Sequence, residues 1–310
     1  MQRTPYTEGL SIRAQPIRAS EGYWGQFLDP FDPVFRQSIQ ASARRAAETS
    51  GSDPWCIGYF VQNEIHWGNE TSLALATLCS PAGQPVKTVI VGHLKQKYGE
   101  IGKLNDVWQS KYNSWDALLQ STEKPDEQSA HNDLLECYRL ITEQYFRVIK
   151  EELQAACPDK LYLGCRFTSF GNQAVISEAS KYCDVVSFNV YEYDLNDHFR
   201  LPEGIDKPCI IGEFHFGALD RGMFHTGLCP VESQEARAAA YEKYVMSALN
   251  NRYLVGTHWF QYQDQATTGR GLDGENYQIG LLSACDTPYP ETIAAVRKIG
   301  DLMYKIRYRK

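Results

Sequence analysis

The sequence predicts an α/β fold built on parallel strands, and three observations carry that prediction. Short apolar runs alternate along the chain with longer amphipathic stretches of helical period. The apolar runs are continuous rather than alternating, as in strands buried on both faces. No internal repeat or low-complexity linker interrupts the alternation, so a single domain over residues 1–310 is expected. Right-handed crossovers curl such a sheet into either a barrel or a doubly wound sheet.

Each element has a local reason. Thr7 to Ile12 reads as a short strand bounded by Pro5 and Pro16. Asp32-Pro33 is a helix start, with Asp at the N-cap and Pro at the first helical position. Phe35, Ile39, Ala43 and Ala46 continue that helix to about Thr49, and Gly51–Pro54 breaks it. Trp55 to Val61 is a buried strand. Residues 67–130 are the least regular, with Leu94 to Gln120 mostly helical. Ser129 to Cys157 is a long amphipathic helix with Leu134, Tyr138, Ile141, Tyr145, Val148 and Leu153 on one face, stopped by Pro158. Strand Leu161–Phe167, helix Gln173–Tyr182, strand Asp184–Val190 and strand Cys209–Glu213 follow. Helix Ser233–Asn250, strand Tyr253–Phe260 and helix Pro290–Ile306 complete the order.

Composition narrows the function. Of 310 residues 43% are apolar and 22% charged, which excludes a disordered, collagen-like or coiled-coil chain. A net charge of -7 and scattered Lys and Arg argue against a nucleic-acid surface, and no run reaches membrane-spanning length. The basic tail Lys305–Lys310 reads as a solvated helix end. Nine cysteines with no CxxC pair read as buried thiols acting as small hydrophobes in a reducing compartment. The opening Met1–Tyr6 has no apolar h-region, so a cytoplasmic chain without signal peptide is expected.

Three strand ends carry chemistry: Gly58–Trp67, Ile210–Gly217 and Gly256–Tyr262. Each is a buried strand ending in polar and aromatic residues, and the C-terminal strand ends of parallel barrels build active sites. A carboxylate is costly to bury there. Two of them, Glu64 and Glu213, suit glycoside hydrolysis, one protonating the leaving oxygen and the other attacking the anomeric carbon. Asn63 would bind a neighbouring hydroxyl, Trp259 would floor the sugar, and Tyr191 would hydrogen-bond the nucleophile. The bland reading makes each glutamate an ion-paired strand-end residue. Two together, each followed by a histidine and flanked by aromatics, favour catalysis. No HxH or HExxH spacing occurs, so neither metal nor cofactor is expected. Gly269-Arg270-Gly271 lacks a strand–turn–helix context and is no phosphate cradle, and no GxSxG occurs.

At these residues the sequence resembles the clan A retaining glycoside hydrolases. Gly58-Tyr59-Phe60-Val61-Gln62-Asn63-Glu64 is similar to the GYFVDNE element of family 42 β-galactosidases and family 50 β-agarases. Leu94–Asn105 with Trp108 is similar to their LKxKYGxIxxLNxxW helix. The segments Gly212–Gly217, Asp220–Gly222, Thr257–Tyr262 and Asp273–Gly280 are most similar to family 50. The resemblance spans roughly residues 25–290. It implies a (β/α)8 TIM-barrel-type fold, Glu64 as acid/base after strand four and Glu213 as nucleophile after strand seven. It implies sugar contacts from Asn63, Tyr191, His215 and Trp259, with Trp67 and Asn276 in the same segments joining them. The implied reaction is cleavage of a β-galactosidic bond in agar-type chains, without metal.

One departure stands out. Only 54 residues precede Trp55, whereas three βα units need on the order of 90 residues. The barrel is therefore expected to be incomplete, with strands one to three largely missing. An open edge is an aggregation hazard, which either a homo-oligomer would cover or the missing part of a longer chain would complete, the oligomer being the expectation. Two rivals share these residues. One keeps both glutamates but cleaves β-glucans or aryl glucosides. The other is a degenerate barrel that binds glycans without cleaving them.

Overall fold

The computed structural model describes residues 5–20, 27–168 and 170–308. Gly25, where the family resemblance begins, lies outside them, as do Met1–Thr4 and the tail residues Arg309 and Lys310. Where the sequence suggests one domain, the chain clusters into two compact units, Met1–Val186 and Ser187–Lys310.

In the first unit three strands, β1 (Tyr6–Leu10), β2 (Cys56–Val61) and β3 (Leu161–Tyr162), form a parallel sheet in that order. The pairing of β2 is central, and all but one of its residues are buried, as its unbroken apolar run requires. Helix α1 (Pro33–Ala46) starts as its sequence dictates. The Asp32 side chain accepts from the Val34 N–H, with Pro33 at the first helical position. A π-helical turn, Ala47–Gly51, ends it before β2.

The irregular middle resolves into α2 (Ser72–Cys79), α3 (Pro85–Tyr98), α4 (Ile101–Trp108) and α5 (Trp115–Gln120). Helix α6 (His131–Ala156) buries the whole expected stripe, Leu134, Tyr138, Ile141, Tyr145, Val148 and Leu153. Its buried Asp133 fastens the middle to it. That carboxylate accepts from Trp108 Nε1 at 2.6 Å, Tyr98 Oη at 2.7 Å and Lys97 Nζ at 2.8 Å. Each bond goes to an ionised acceptor, so each is stronger than a neutral one. Helix α7 (Gln173–Tyr182) is capped by Asn172, whose side chain accepts from the Val175 N–H.

The unit boundary falls at the start of β4 (Val186–Asn189). In the second unit β4, β5 (Cys209–Phe214) and β6 (Leu254–Trp259) form a sheet in that order, β5 and β6 being parallel. Helix α8 (Gln234–Asn250) is capped by Ser233 and packs against α9 (Pro290–Arg307). All nine cysteines are free thiols, seven of them buried, in keeping with their reading as small hydrophobes. Among the described residues no helix is long and apolar enough to cross a membrane.

Candidate active site

The candidate residues of the first unit sit where β2 stops. The strand ends because two non-glycine residues turn left-handed, Gln62 at φ 65° and Glu64 at φ 53°. Such backbone costs of the order of 1–3 kcal/mol per residue and persists only where neighbours enforce it. Here the neighbours are hydrogen bonds on both sides. The Gln62 N–H donates to the Leu10 carbonyl at 2.8 Å, and the Glu64 N–H donates to the Cys165 carbonyl at 3.2 Å. Asn63 and Glu64 are half-buried. On the next segment Arg166, also left-handed at φ 53°, lays its guanidinium 5.2 Å from the centre of the Phe60 ring.

Trp67 has a different place from the sugar contact expected of it. Its indole is 5% exposed and lies among Phe27, Tyr145, Phe146 and Phe167, with centroids 5.1–5.9 Å away. The backbone bends at Gly68 (φ 62°) and carries the ring into the core, where burial of its apolar area outweighs any use at the surface. Trp67→Ala is therefore expected to destabilise the first unit by about 3–5 kcal/mol. Denaturant unfolding measures this, and a loss below ~1 kcal/mol would contradict the core assignment.

In the second unit Tyr191 meets Glu213, and His215 packs behind Tyr191. The Glu213 side chain is 7% exposed, and Tyr191 Oη donates to its Oε2 at 2.6 Å. Tyr191 is aimed by the end of β4. The Val190 N–H donates to the Glu213 carbonyl at 3.0 Å, and Tyr244 Oη of α8 donates to the Val190 carbonyl at 2.8 Å. Phe214 stacks on Tyr244 at 4.2 Å and meets Trp259 edge-on at 5.2 Å, so β5 is clamped on the helix side.

His215 supports Tyr191. Their ring centroids are 4.7 Å apart, and His215 is 1% exposed. The Leu228 N–H donates to its Nε2 at 2.8 Å, so Nε2 is an acceptor and the neutral ring carries its proton on Nδ1. Burial pushes its pKa down to about 3, opposed by the Phe260 carbonyl and aided by the Arg237 charge. Gly227 makes this possible: at φ 74°, a Cβ there would lie 2.4 Å from His215 Nε2. The folded pKa lies below the ordinary 6.5. Between those values the unfolded chain takes up a proton that the folded chain refuses. The stabilisation is thus complete above about pH 6.5 and is lost at about 1.4 kcal/mol per pH unit as the pH falls toward 3. Urea unfolding at pH 7 and pH 5 should show a smaller acid loss in His215→Gln than in the wild type. An equal loss in both would refute this.

Trp259 is half-buried, and its Nε1–H donates to the Ile279 carbonyl at 2.7 Å. One side of the indole is taken by Arg237, whose guanidinium lies 5.3 Å from the Trp259 ring and 5.2 Å from Tyr289. Arg237 is fully buried and donates to the carbonyls of Phe216 at 2.9 Å and Gly280 at 2.5 Å, and to Gln234 Oε1 at 3.1 Å. It ties the segment after Glu213 to the one after β6. Asn276 is half-buried on the loop that also carries Glu275 and Tyr277.

Sequence reasoning missed Arg270 and Tyr277. Arg270 bonds Asp273 at 2.6 and 2.7 Å and pairs with Glu275 at 3.0 Å. Its pKa is raised first by Asp273, then by Glu275 and by Glu213, so it adds positive potential near Glu213. Tyr277 stacks on His225 at 4.8 Å and faces His215 at 6.1 Å. The signal for Arg270 was its place between two glycines. Among the described residues no group of three or more His, Cys, Asp or Glu is set to hold a metal ion.

Comparison with known proteins fits this arrangement. The β-galactosidase family, glycoside hydrolase 42, matches residues 5–208. β-Agarase B of Vibrio sp. (strain JT0107) is 40% identical over 308 residues, covering 95% of this chain and 32% of that protein. The crystal structure of an agarase is 38% identical with a TM-score of 0.89, covering 98% of this chain and 45% of that one. That of an exo-β-agarase is 34% identical with a TM-score of 0.90, covering 98% and 43%. The chain thus spans about a third of the curated relative it matches.

Proposed function

This chain belongs to the β-galactosidase family of glycoside hydrolases, and we propose that it cleaves β-linked galactosides or agar-type chains with retention of configuration. Glu213 is the nucleophile in this reading and Glu64 the acid/base. The observation that carries it is the setting of Glu213. Its carboxylate is buried, accepts a hydrogen bond from Tyr191 and has Arg270 nearby, which orients it and sets positive potential beside it. The left-handed backbone at Glu64 supports the second role, because strain of that kind gathers at functional sites. Asn63 and Trp259 supply sugar contacts, and Asn276 a further polar one. Tyr191 orients Glu213, and His215 holds Tyr191.

In the double displacement Glu213 attacks the anomeric carbon while Glu64 gives its proton to the departing oxygen. Water, deprotonated by Glu64, then releases the sugar and restores Glu213. The finer fold reading, a (β/α)8-type scaffold, belongs to the same proposal. It is supported by the parallel βα alternation among the described residues.

Sugar release from agarose oligosaccharides and from a panel of p-nitrophenyl β-glycosides tests the function. Release from β-glucosides instead would favour the glucanase reading. A folded chain that binds glycans and releases nothing would favour the binding module. We also propose association of copies, since each three-stranded sheet has an end strand on either side and an uncovered edge invites pairing. Light scattering should give a multiple of 35.2 kDa, and a stable monomer would refute it.

A further inference from the structure

We propose that Arg237 and Asp264, two buried charges joined through the backbone of Gly280, are positioning residues that fix the plane of the Trp259 indole. The consequence for substrate rests on the reading of Trp259 as a sugar contact. Arg237, near the start of α8, is fully buried, and Asp264 is 6% exposed. Burial pulls the Arg237 pKa down to about 10, and Asp264 is the first charge to oppose the fall. Burial likewise raises the Asp264 pKa, opposed by Tyr289, the Gly280 N–H and Arg237. Well-packed hydrophobic side chains would stabilise such an interior as well as two buried charges do, so the value of this pair is geometric.

The peptide unit between Ile279 and Gly280 carries the first restraint. Its N–H donates to Asp264 Oδ1 at 2.7 Å, and its carbonyl accepts from Trp259 Nε1 at 2.7 Å. The unit is planar, so a carboxylate that fixes the N–H also fixes the acceptor of the indole. That carboxylate polarises the peptide and strengthens the bond at its other end. Asp264 Oδ2 is held in turn by Tyr289 Oη at 2.6 Å. Arg237 carries the second restraint. Its Nη2 donates to the Gly280 carbonyl at 2.5 Å, while its guanidinium carbon lies 5.3 Å from the centre of the indole. A cation at that distance is attracted to the ring face. One charge thus holds the edge of the indole and the other its face. Gly280 has to be a glycine, because a Cβ there would lie 2.1 Å from the Asp264 backbone nitrogen and 2.3 Å from the Leu282 carbonyl.

Solvent exchange of the Trp259 indole proton, followed by NMR of nitrogen-labelled tryptophan, tests the positioning without any substrate. Loss of the signal in Trp259→Ala identifies it. Arg237→Met with Asp264→Asn removes both charges together, so neither is left buried alone. In that chain the Trp259 indole proton should exchange at least about tenfold faster than in the wild type. The indole protons of Trp67 and Trp108, in the other unit, should keep their rates. If that chain does not fold, Arg237→Lys, which keeps the cation and gives up the planar fork, should raise the rate about threefold. A wild-type exchange rate in the folded variant overturns the proposal. Calorimetric titration with an agarose hexasaccharide, in the Glu213→Ala background, reads the consequence for substrate. The paired change should weaken binding about tenfold, and in a chain that also carries Trp259→Ala it should add less than about twofold, since residues acting through Trp259 then have nothing to act on. Fully additive losses overturn the proposal as well. A hexasaccharide that binds none of these chains sinks the sugar reading of Trp259, and the indole exchange rate then decides the positioning by itself.

Discussion

Glu213→Ala is expected to lower the rate of sugar release by roughly 10⁴-fold or more, about 5 kcal/mol of transition-state stabilisation. Removal of a nucleophile takes away the bond that defines the first step, and no neighbouring group substitutes for it. The fold should survive, because β5 is held by Phe214 against Tyr244 and Trp259, contacts the substitution leaves in place. Thermal unfolding of the variant should therefore stay close to the wild type. Added azide should restore turnover and give a glycosyl azide of inverted configuration, since a small anion enters the space of the lost carboxylate. A variant within tenfold of wild type would remove Glu213 from the nucleophile role.

Glu64→Ala should behave differently, and the difference is the test of its role. Loss of a general acid costs about 10²–10⁴-fold, and the cost scales with how badly the leaving group needs a proton. Release of a sugar alcohol should fall near the upper end of that range. Release of p-nitrophenol, a stable anion by itself, should fall far less in the first step. A uniform loss across leaving groups would point to a positioning effect of the left-handed turn at Gln62–Glu64 instead. Comparison of Glu64→Ala with Gln62→Gly, which relieves the strain without touching a carboxylate, separates the two.

Much of this was legible in the sequence because the informative signals are local. The Asp32-Pro33 cap, the stripe of α6 and the apolar runs of β2 and β5 come from periods and caps read within a few residues. Two elements were less legible. Helix α2, Ser-Leu-Ala-Leu-Ala-Thr-Leu-Cys, is apolar nearly all round and carries no helical period, and its identity comes from burial. Strand β3 is shorter than its apolar run, because Gly164 and Arg166 turn left-handed and end the ladder there.

The sequence by itself determined most of the strands and helices, the placement of Glu64 and Glu213 at strand ends, and the chemistry those carboxylates suit. The tertiary structure alone decided which neighbours each residue has. Trp67 follows the end of β2 and Trp259 is the last residue of β6, yet one is a core ring and the other a half-buried one held by Arg237. The neutral, fully enclosed state of His215 depends on the Leu228 amide thirteen residues away, and the place of Arg237 depends on Gly280 forty-three residues away. The physical reason is range. Periodicity and capping act over one or two turns of chain, whereas desolvation and hydrogen bonding depend on whatever the fold brings within about 3–5 Å, at any separation in sequence.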